Sequence, residues 1–139
     1  MNHLTNFWKS VKTEETAILA TSAGGSVTMR IVSPVYYEDA VLIFTSPDSL
    51  KYQQLKDNPN CCVAVGGYFM EAKAQFLGLT MLDENAAYRD VYSEKFNDAF
   101  ADDIAFGGRE AEFILLKPNR LKGWGFENGT PTGPFEYQL

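Results

Sequence analysis

Apolar positions change period several times along this chain, and each change marks an element. Leu4, Phe7, Trp8 and Val11 fall at i, i+3, i+4 and i+7, which predicts a short amphipathic helix with Asn2 as its cap. Residues 17–22 (AILATS) make a short, mostly apolar strand, and residues 23–26 (AGGS) supply the small residues of a hairpin turn. The return strand covers residues 27–35. In it Val27, Met29 and Ile31 alternate with Thr28, Arg30 and Val32, so Arg30 shares a face with Thr28 and Val32. Ser33-Pro34 is expected to end the ladder, because proline donates no hydrogen bond. Residues 36–39 (YYED) turn the chain into residues 40–45 (AVLIFT), a continuous apolar run that predicts a buried strand.

A helix start follows, with Ser46 as N-cap, Pro47 at the first helical position and Asp48 in the first turn. The helix runs through Lys51, Tyr52 and Leu55 and stops before Asn58-Pro59. Residues 61–65 are another strand, ended by Gly66-Gly67. Residues 72–82 (AKAQFLGLTML) form a long one, in which Gly78 marks a bulge or bend. Asp83 is expected to cap a helix containing Tyr88, Val91, Tyr92 and Phe96. A second helical piece passes through Phe100 and Ile104 and ends at Gly107-Gly108. Residues 111–116 and 120–126 are the last strands, divided by a Lys117-Pro118-Asn119 turn, and residues 127–139 are expected to be an irregular tail. Six or seven strands at short spacing, with helices only as connections, predict a mainly β fold with peripheral helices. An antiparallel barrel fits this pattern better than a doubly wound sheet.

Composition narrows the partners. The chain of 139 residues is the size of one domain, and 45% hydrophobic with 22% charged residues is the balance of a soluble globular protein. It has neither an apolar run near the roughly 20 residues that span a bilayer nor a charged leader with an apolar stretch, so a cytoplasmic location without membrane contact is expected. A net charge of −6 argues against nucleic-acid binding, which rests on a basic surface. Cys61 and Cys62 are adjacent and point to opposite faces of a strand, which suits small buried hydrophobes rather than a disulfide or a metal pair. His3 is the single histidine, so multi-histidine zinc sites and a Ser-His-Asp triad on a core histidine are excluded.

Candidate chemistry concentrates in residues 29–51. Arg30 lies on a strand, and Thr45, Ser46, Ser49 and Lys51 gather where the next strand gives way to a helix. Free N–H groups and a partial positive charge at a helix start suit a phosphate. Arg30 alone would serve equally as a solvent-facing strand residue; the Ser46-Pro47-x-Ser49 start favours the phosphate. Tyr36, Tyr37 and Trp8 fit packing, and Glu71, Asp83 and Glu84 have no partner that would make them acid–base groups.

In this order (the helix, AILATS, the Gly turn, MRIVSPV, AVLIFTSPDSLK, a helix ending in NPN, AQFLG and ILLKP) residues 3–126 resemble the FMN-binding split-barrel family, the pyridoxamine 5′-phosphate oxidase-like proteins, and within it the short general-stress-protein type. The resemblance implies a homodimeric split β-barrel over residues 1–139, with FMN in clefts at the subunit interface. It implies that Arg30 and Lys51 hold the FMN phosphate with help from Ser49. The backbone of Ile31, Val32 and Ser33 would run along the isoalloxazine ring, and Phe44, Thr45 and Ser46 would line the ring and ribityl chain. Where the family often has a glutamine reaching over from the partner, this chain has Lys73, a cation that suits an anionic reduced flavin. Gln75 lies on the same face as a substitute, and Trp124 falls where several members place an aromatic near the cleft. The oxidases themselves carry a lysine at the position of Val35 and C-terminal arginines with a histidine. Here only Arg120 is found, so pyridoxamine phosphate is not the expected substrate. The expected function is FMN-dependent hydride or electron transfer from a nicotinamide donor to a small acceptor. A non-catalytic flavin-binding or sensor protein, and a deazaflavin- or haem-binding relative, remain the alternatives; His3, in an N-terminus expected to be mobile, suits haem ligation poorly.

Overall fold

Two strands of twelve residues, β6 (Tyr68–Leu79) and β7 (Glu112–Gly123), pair along their whole length and form the spine of the molecule. The computed structural model describes residues 2–97, 99–100 and 110–139. Around the spine lie α1 (His3–Thr13), β1 (Ala17–Ala23), β2 (Ser26–Val32), β3 (Val35–Tyr37), β4 (Ala40–Thr45), α2 (Leu50–Asp57), β5 (Asn60–Val65), a short 3₁₀ turn (Asp83–Asn85) and α3 (Ala86–Lys95). After β7 come β8 (Phe126–Glu127), β9 (Thr130–Pro131) and β10 (Phe135–Gln138). The main sheet is antiparallel and runs β2-β1-β5-β6-β7-β4-β3, with β10 added beside β7. The expected helical piece at residues 100–108 lies largely outside the described residues.

β2 and β3 are consecutive in sequence but sit at opposite ends of this path. Only Ser33 and Pro34 join them, and that connection spans at most about 10 Å at full stretch. The two ends of the sheet are therefore held side by side, and the sheet must curl round. The return strand expected over residues 27–35 divides accordingly at Ser33-Pro34: β2 pairs with β1, and β3 pairs with β4. The carbonyls that the broken ladder leaves at the seam are met by α3. Tyr92 Oη donates to Ser33 O at 2.6 Å, and Lys95 Nζ donates to Pro34 O at 2.5 Å and to Val11 O at 2.7 Å.

The apolar run of β4 is explained by burial on both faces. Val41 and Ile43 join the larger core with Phe7, Leu19, Leu55, Val63, Met70 and Leu121, while Ala40 and Leu42 join a second cluster with Val35, Tyr92 and Phe113. α1 closes the larger core as the spacing predicts. Asn2 Oδ1 accepts from Thr5 N at 3.1 Å, and Phe7 and Val11 are fully buried, each contributing about 1.5–3 kcal/mol. His3 is part of this helix and stacks on Phe135 with ring centroids 3.8 Å apart, so the expectation of a mobile N-terminal histidine is corrected.

Other expectations change for local reasons. Asp83 caps nothing; it starts the 3₁₀ turn that leads into α3. Pro118 does not break β7, because it sits at a bulge where Glu71 faces Arg120 and Ala72 faces Pro118, leaving Asn119 as the extra residue. Gly78, at φ +86°, sits at the other bulge, as its place in the strand suggested. The tail is not irregular: β8 and β9 form a hairpin, and β10 pairs with the C-terminal half of β7. Gly123 makes room for it, since a Cβ there would stand 2.1 Å from Phe135 Cζ. The cysteines are free and half-buried, and burial pushes the Cys61 thiol up to about 12.

Candidate cofactor site

The strand-to-helix connection after β4 is a turn followed by a cap. Ser49 N donates to Ser46 O at 3.0 Å, with Pro47 at the second position of the turn, where its fixed φ is favoured. Ser49, in extended conformation, is the N-cap of α2; its Oγ accepts from Tyr52 N and donates to Ser46 O at 2.8 Å. The cap expected at Ser46 thus moves three residues on. Ser46 Oγ instead accepts from Asp48 N at 3.2 Å, and buried Thr45 lies 3.0 Å from Ser49 Oγ. Thr45, Ser46 and Ser49 do come together, but first as the groups that build this turn.

Lys51 stands in the first turn of α2, half-buried, with no hydrogen bond or ion pair among the described residues. Its pKa is lowered, first by burial and then by the charge of Arg30. Arg30 reaches inward from β2 and is also lowered by burial. Its guanidinium donates to Leu19 O at 3.1 Å, to Thr21 Oγ1 at 2.8 Å and to Thr28 Oγ1. A guanidinium has about five N–H groups and can only donate, so two remain uncommitted among the described residues. No carboxylate pairs with either cation there. Cations partly stripped of water with no carboxylate partner are unfavourable unless an anion joins them.

Beside Lys51 lies a cavity of about 250 Å³ lined by Ile31, Val32, Ser33, Ile43, Phe44, Tyr92 and Phe96. Ile31, Val32, Ser33, Phe44 and Lys51, five of the residues expected at a cofactor, therefore share one cavity whose walls are about equally polar and apolar, while Arg30, Thr45, Ser46 and Ser49 do not line it. Tyr92 and Phe96 were not foreseen as lining, although their helix was; only the packing of α3 across the β2–β3 seam puts them there. Lys73 and Gln75 are elsewhere in the chain, exposed on the outward face of β6. Trp124 is 47% exposed and lines another cavity, with Phe69, Lys122 and Phe135. Val35, where the oxidases carry lysine, is a core residue at 2% exposure. An oxygen-rich metal or multi-ligand site is not formed among the described residues, and none of the helices described is long and apolar enough to cross a membrane.

No family model and no curated protein matches this sequence. Solved structures do. General stress protein 26 from Bacillus anthracis superimposes with a TM-score of 0.71 over 100% of both chains at 13% identity. A candidate pyridoxamine 5′-phosphate oxidase from Listeria innocua gives 0.70 over 88% of this chain and 98% of its own, at 12% identity. The chain has the pyridoxamine 5′-phosphate oxidase-like split-barrel fold. An FAD-binding protein from Mesorhizobium loti shares the split barrel at a TM-score of 0.68 and 15% identity, over 87% of this chain and 92% of its own. A haem-binding protein from Mycobacterium smegmatis and an F420 reductase are similar in fold as well. At such identities the backbone path is shared and the side chains are not, so the site of this split barrel rests on its own residues.

Proposed function

We propose that this split-barrel protein binds FMN and works as an oxidoreductase, passing hydride or electrons from a nicotinamide donor to a small acceptor. One observation carries the reading: Arg30 and Lys51 are partly buried cations that pair with no carboxylate among the described residues, and Lys51 borders a cavity walled in part by apolar side chains. A phosphate dianion would satisfy the pair, and an aromatic ring system would suit the walls formed by Ile31, Val32, Phe44 and Tyr92. Bound FMN would supply the hydride or electron chemistry. The chain's own part is to hold and orient it: Arg30 and Lys51 by charge, the turn of residues 45–49 through its hydroxyls, and Tyr92 by pinning the Ser33 carbonyl to α3.

The reading includes a homodimer. Ile18, Val27, Met29, Ile31 and Phe69, each more than 40% exposed, occupy one outward sheet face, where strand register sets Ile18 opposite both Ile31 and Ala64, and Ala64 opposite Phe69. An apolar face of this extent suits another copy of the chain. Lys73 and Gln75 share that face and would reach the cofactor across the interface. Pyridoxamine phosphate is not the substrate in this reading, since Val35 is sealed in the core. The other readings are a flavin sensor without turnover, and haem or F420 as the occupant, which the names of two similar structures bring in. Haem is disfavoured by the stacking of His3 on Phe135, away from the cavity. The test is spectroscopic: the purified protein, supplied with FMN and freed of excess, is expected to keep the blue flavin band and to oxidise a nicotinamide donor when an acceptor is added. A colourless protein that takes up no FMN refutes the proposal, and a bound but inert flavin favours the sensor.

A further inference from the structure

Gln54 lies mid-helix in α2 at 6% exposure, a long polar side chain in a place where leucine would pack. Its Oε1 accepts from Thr21 Oγ1 and from Thr28 Oγ1, each at 2.6 Å. The same two hydroxyls accept from Arg30. Distance gives the chain its direction. A guanidinium has no acceptor, so each threonine spends a lone pair on Arg30 and has its proton for another partner; Gln54 Oε1, at 2.6 Å from both hydroxyls, is a nearer acceptor than the other threonine at 3.4 Å, and this sets the amide with its oxygen toward the threonines. Three elements, α2, β1 and β2, thus meet in one hydrogen-bonded group whose last member is the candidate phosphate ligand.

We propose that Gln54 is a positioning residue for the anion site: by orienting Thr21 and Thr28 it holds the Arg30 guanidinium in one pose and leaves the two remaining N–H groups for a phosphate. A free arginine has many rotamers to lose on binding, and an arginine held in advance loses few, so the effect of Gln54 falls on affinity for the charged end of the ligand. The inference rests on the phosphate reading above. It assigns Gln54 no contact with the ligand.

The experiment compares FMN with riboflavin, which lacks the phosphate, in the whole protein by fluorescence titration. Wild type is expected to favour FMN. Gln54→Met, which keeps volume and removes the acceptor, is expected to lose about tenfold in FMN affinity while keeping its affinity for riboflavin. A purely structural role would weaken both ligands together and leave their ratio as in wild type, and that result overturns the inference. A wild type that binds the two ligands equally overturns the phosphate reading and this inference with it; a wild-type preference that survives Gln54→Met overturns the inference alone. If Gln54→Met does not fold, Thr28→Val cuts one of the two links at a half-buried site. About a threefold fall in the FMN-to-riboflavin ratio is then expected, and an unchanged ratio overturns the proposal.

Discussion

The two faces of β2 reverse the usual arrangement of a strand. Its inward face carries Thr28 and Arg30, half-buried against α2 and β1, whereas its outward face carries Val27, Met29 and Ile31 at 73%, 68% and 71% exposure. A strand that packs only on its own domain would place these the other way round. Register is secured by the full seven-residue pairing with β1, from Ala17 opposite Val32 to Ala23 opposite Ser26. Each face is thus incomplete in the single chain. Inside, a cation has hydroxyls and a carbonyl as partners where a charged partner would complete it; outside, apolar side chains meet water. In the proposed reading one strand would serve two ligands, an anion on its inward face and an apolar protein surface on its outward face, with Val27 and Met29 belonging to the second alone.

The largest expected effect breaks the outer face. Val27→Asp together with Met29→Asp would remove about 1.5–3 kcal/mol of burial per side chain, counted twice in a symmetric pair, and would add charges to the interface. A dimer is expected to become a monomer by sedimentation, with a dissociation constant raised more than about a hundredfold. A wild-type protein that already sediments as a monomer would refute the interface. Breaking the inner face is expected to do less: Arg30→Ala should weaken FMN by about 10- to 100-fold, the range of hydrogen bonds to charged groups, while riboflavin affinity stays the same. If both ligands bind the variant as they bind wild type, Arg30 is not the phosphate ligand.

The smallest effect is a matter of pH. Burial and the charge of Arg30 hold the Lys51 pKa below its ordinary value, so its charge is lost earlier on the way up in pH. A lysine with a depressed folded pKa destabilises the empty protein below that pKa, and the penalty is relieved as pH rises through it, because the unfolded chain then binds the proton more tightly. FMN should show the opposite trend. Its preference over riboflavin is expected to fall severalfold as pH is raised toward the ordinary lysine value of 10.5 and Lys51 loses its charge before a free lysine would, and Lys51→Ala should flatten that slope. A slope unchanged in Lys51→Ala would assign the titration elsewhere. Measured on the Met29→Asp variant, whose substitution lies outside the cavity lining, the same ratio would show whether the inner face works without the outer one.

Most of the elements follow from local rules. The amphipathic spacing of Leu4, Phe7, Trp8 and Val11, the cap at Asn2, the glycines of the first hairpin and the bulge glycine at residue 78 each act over a few residues, and the structure agrees with them. The errors occur where a local signal had two outcomes. Ser46 and Ser49 are both good caps, and the choice fell to Ser49 because Pro47 was better used in a turn. Pro118 is a strand breaker unless a bulge receives it, and the partner strand β6 decided that. Phe135 and Tyr137 could not place themselves until β7 presented a free half-edge and Gly123 gave the ring space.

The site divides along the same line. Arg30, Lys51 and the hydroxyl-bearing turn were visible in the sequence, because a helix start and an alternating strand announce which side chains converge within some twenty residues. Gln54 was not visible, because a polar residue in a helix of weak amphipathicity carries no sign that it will be buried; its partners Thr21 and Thr28 come from two strands that only pairing brings beneath α2. The sequence by itself determined the alternation on β2, and with it that Arg30 and the apolar triplet point opposite ways. Which of these two faces is inside was decided only when Ser33 and Pro34 tied the two ends of the sheet together. That closure gives the strand an interior, and burial then sets the chemistry of what lies there.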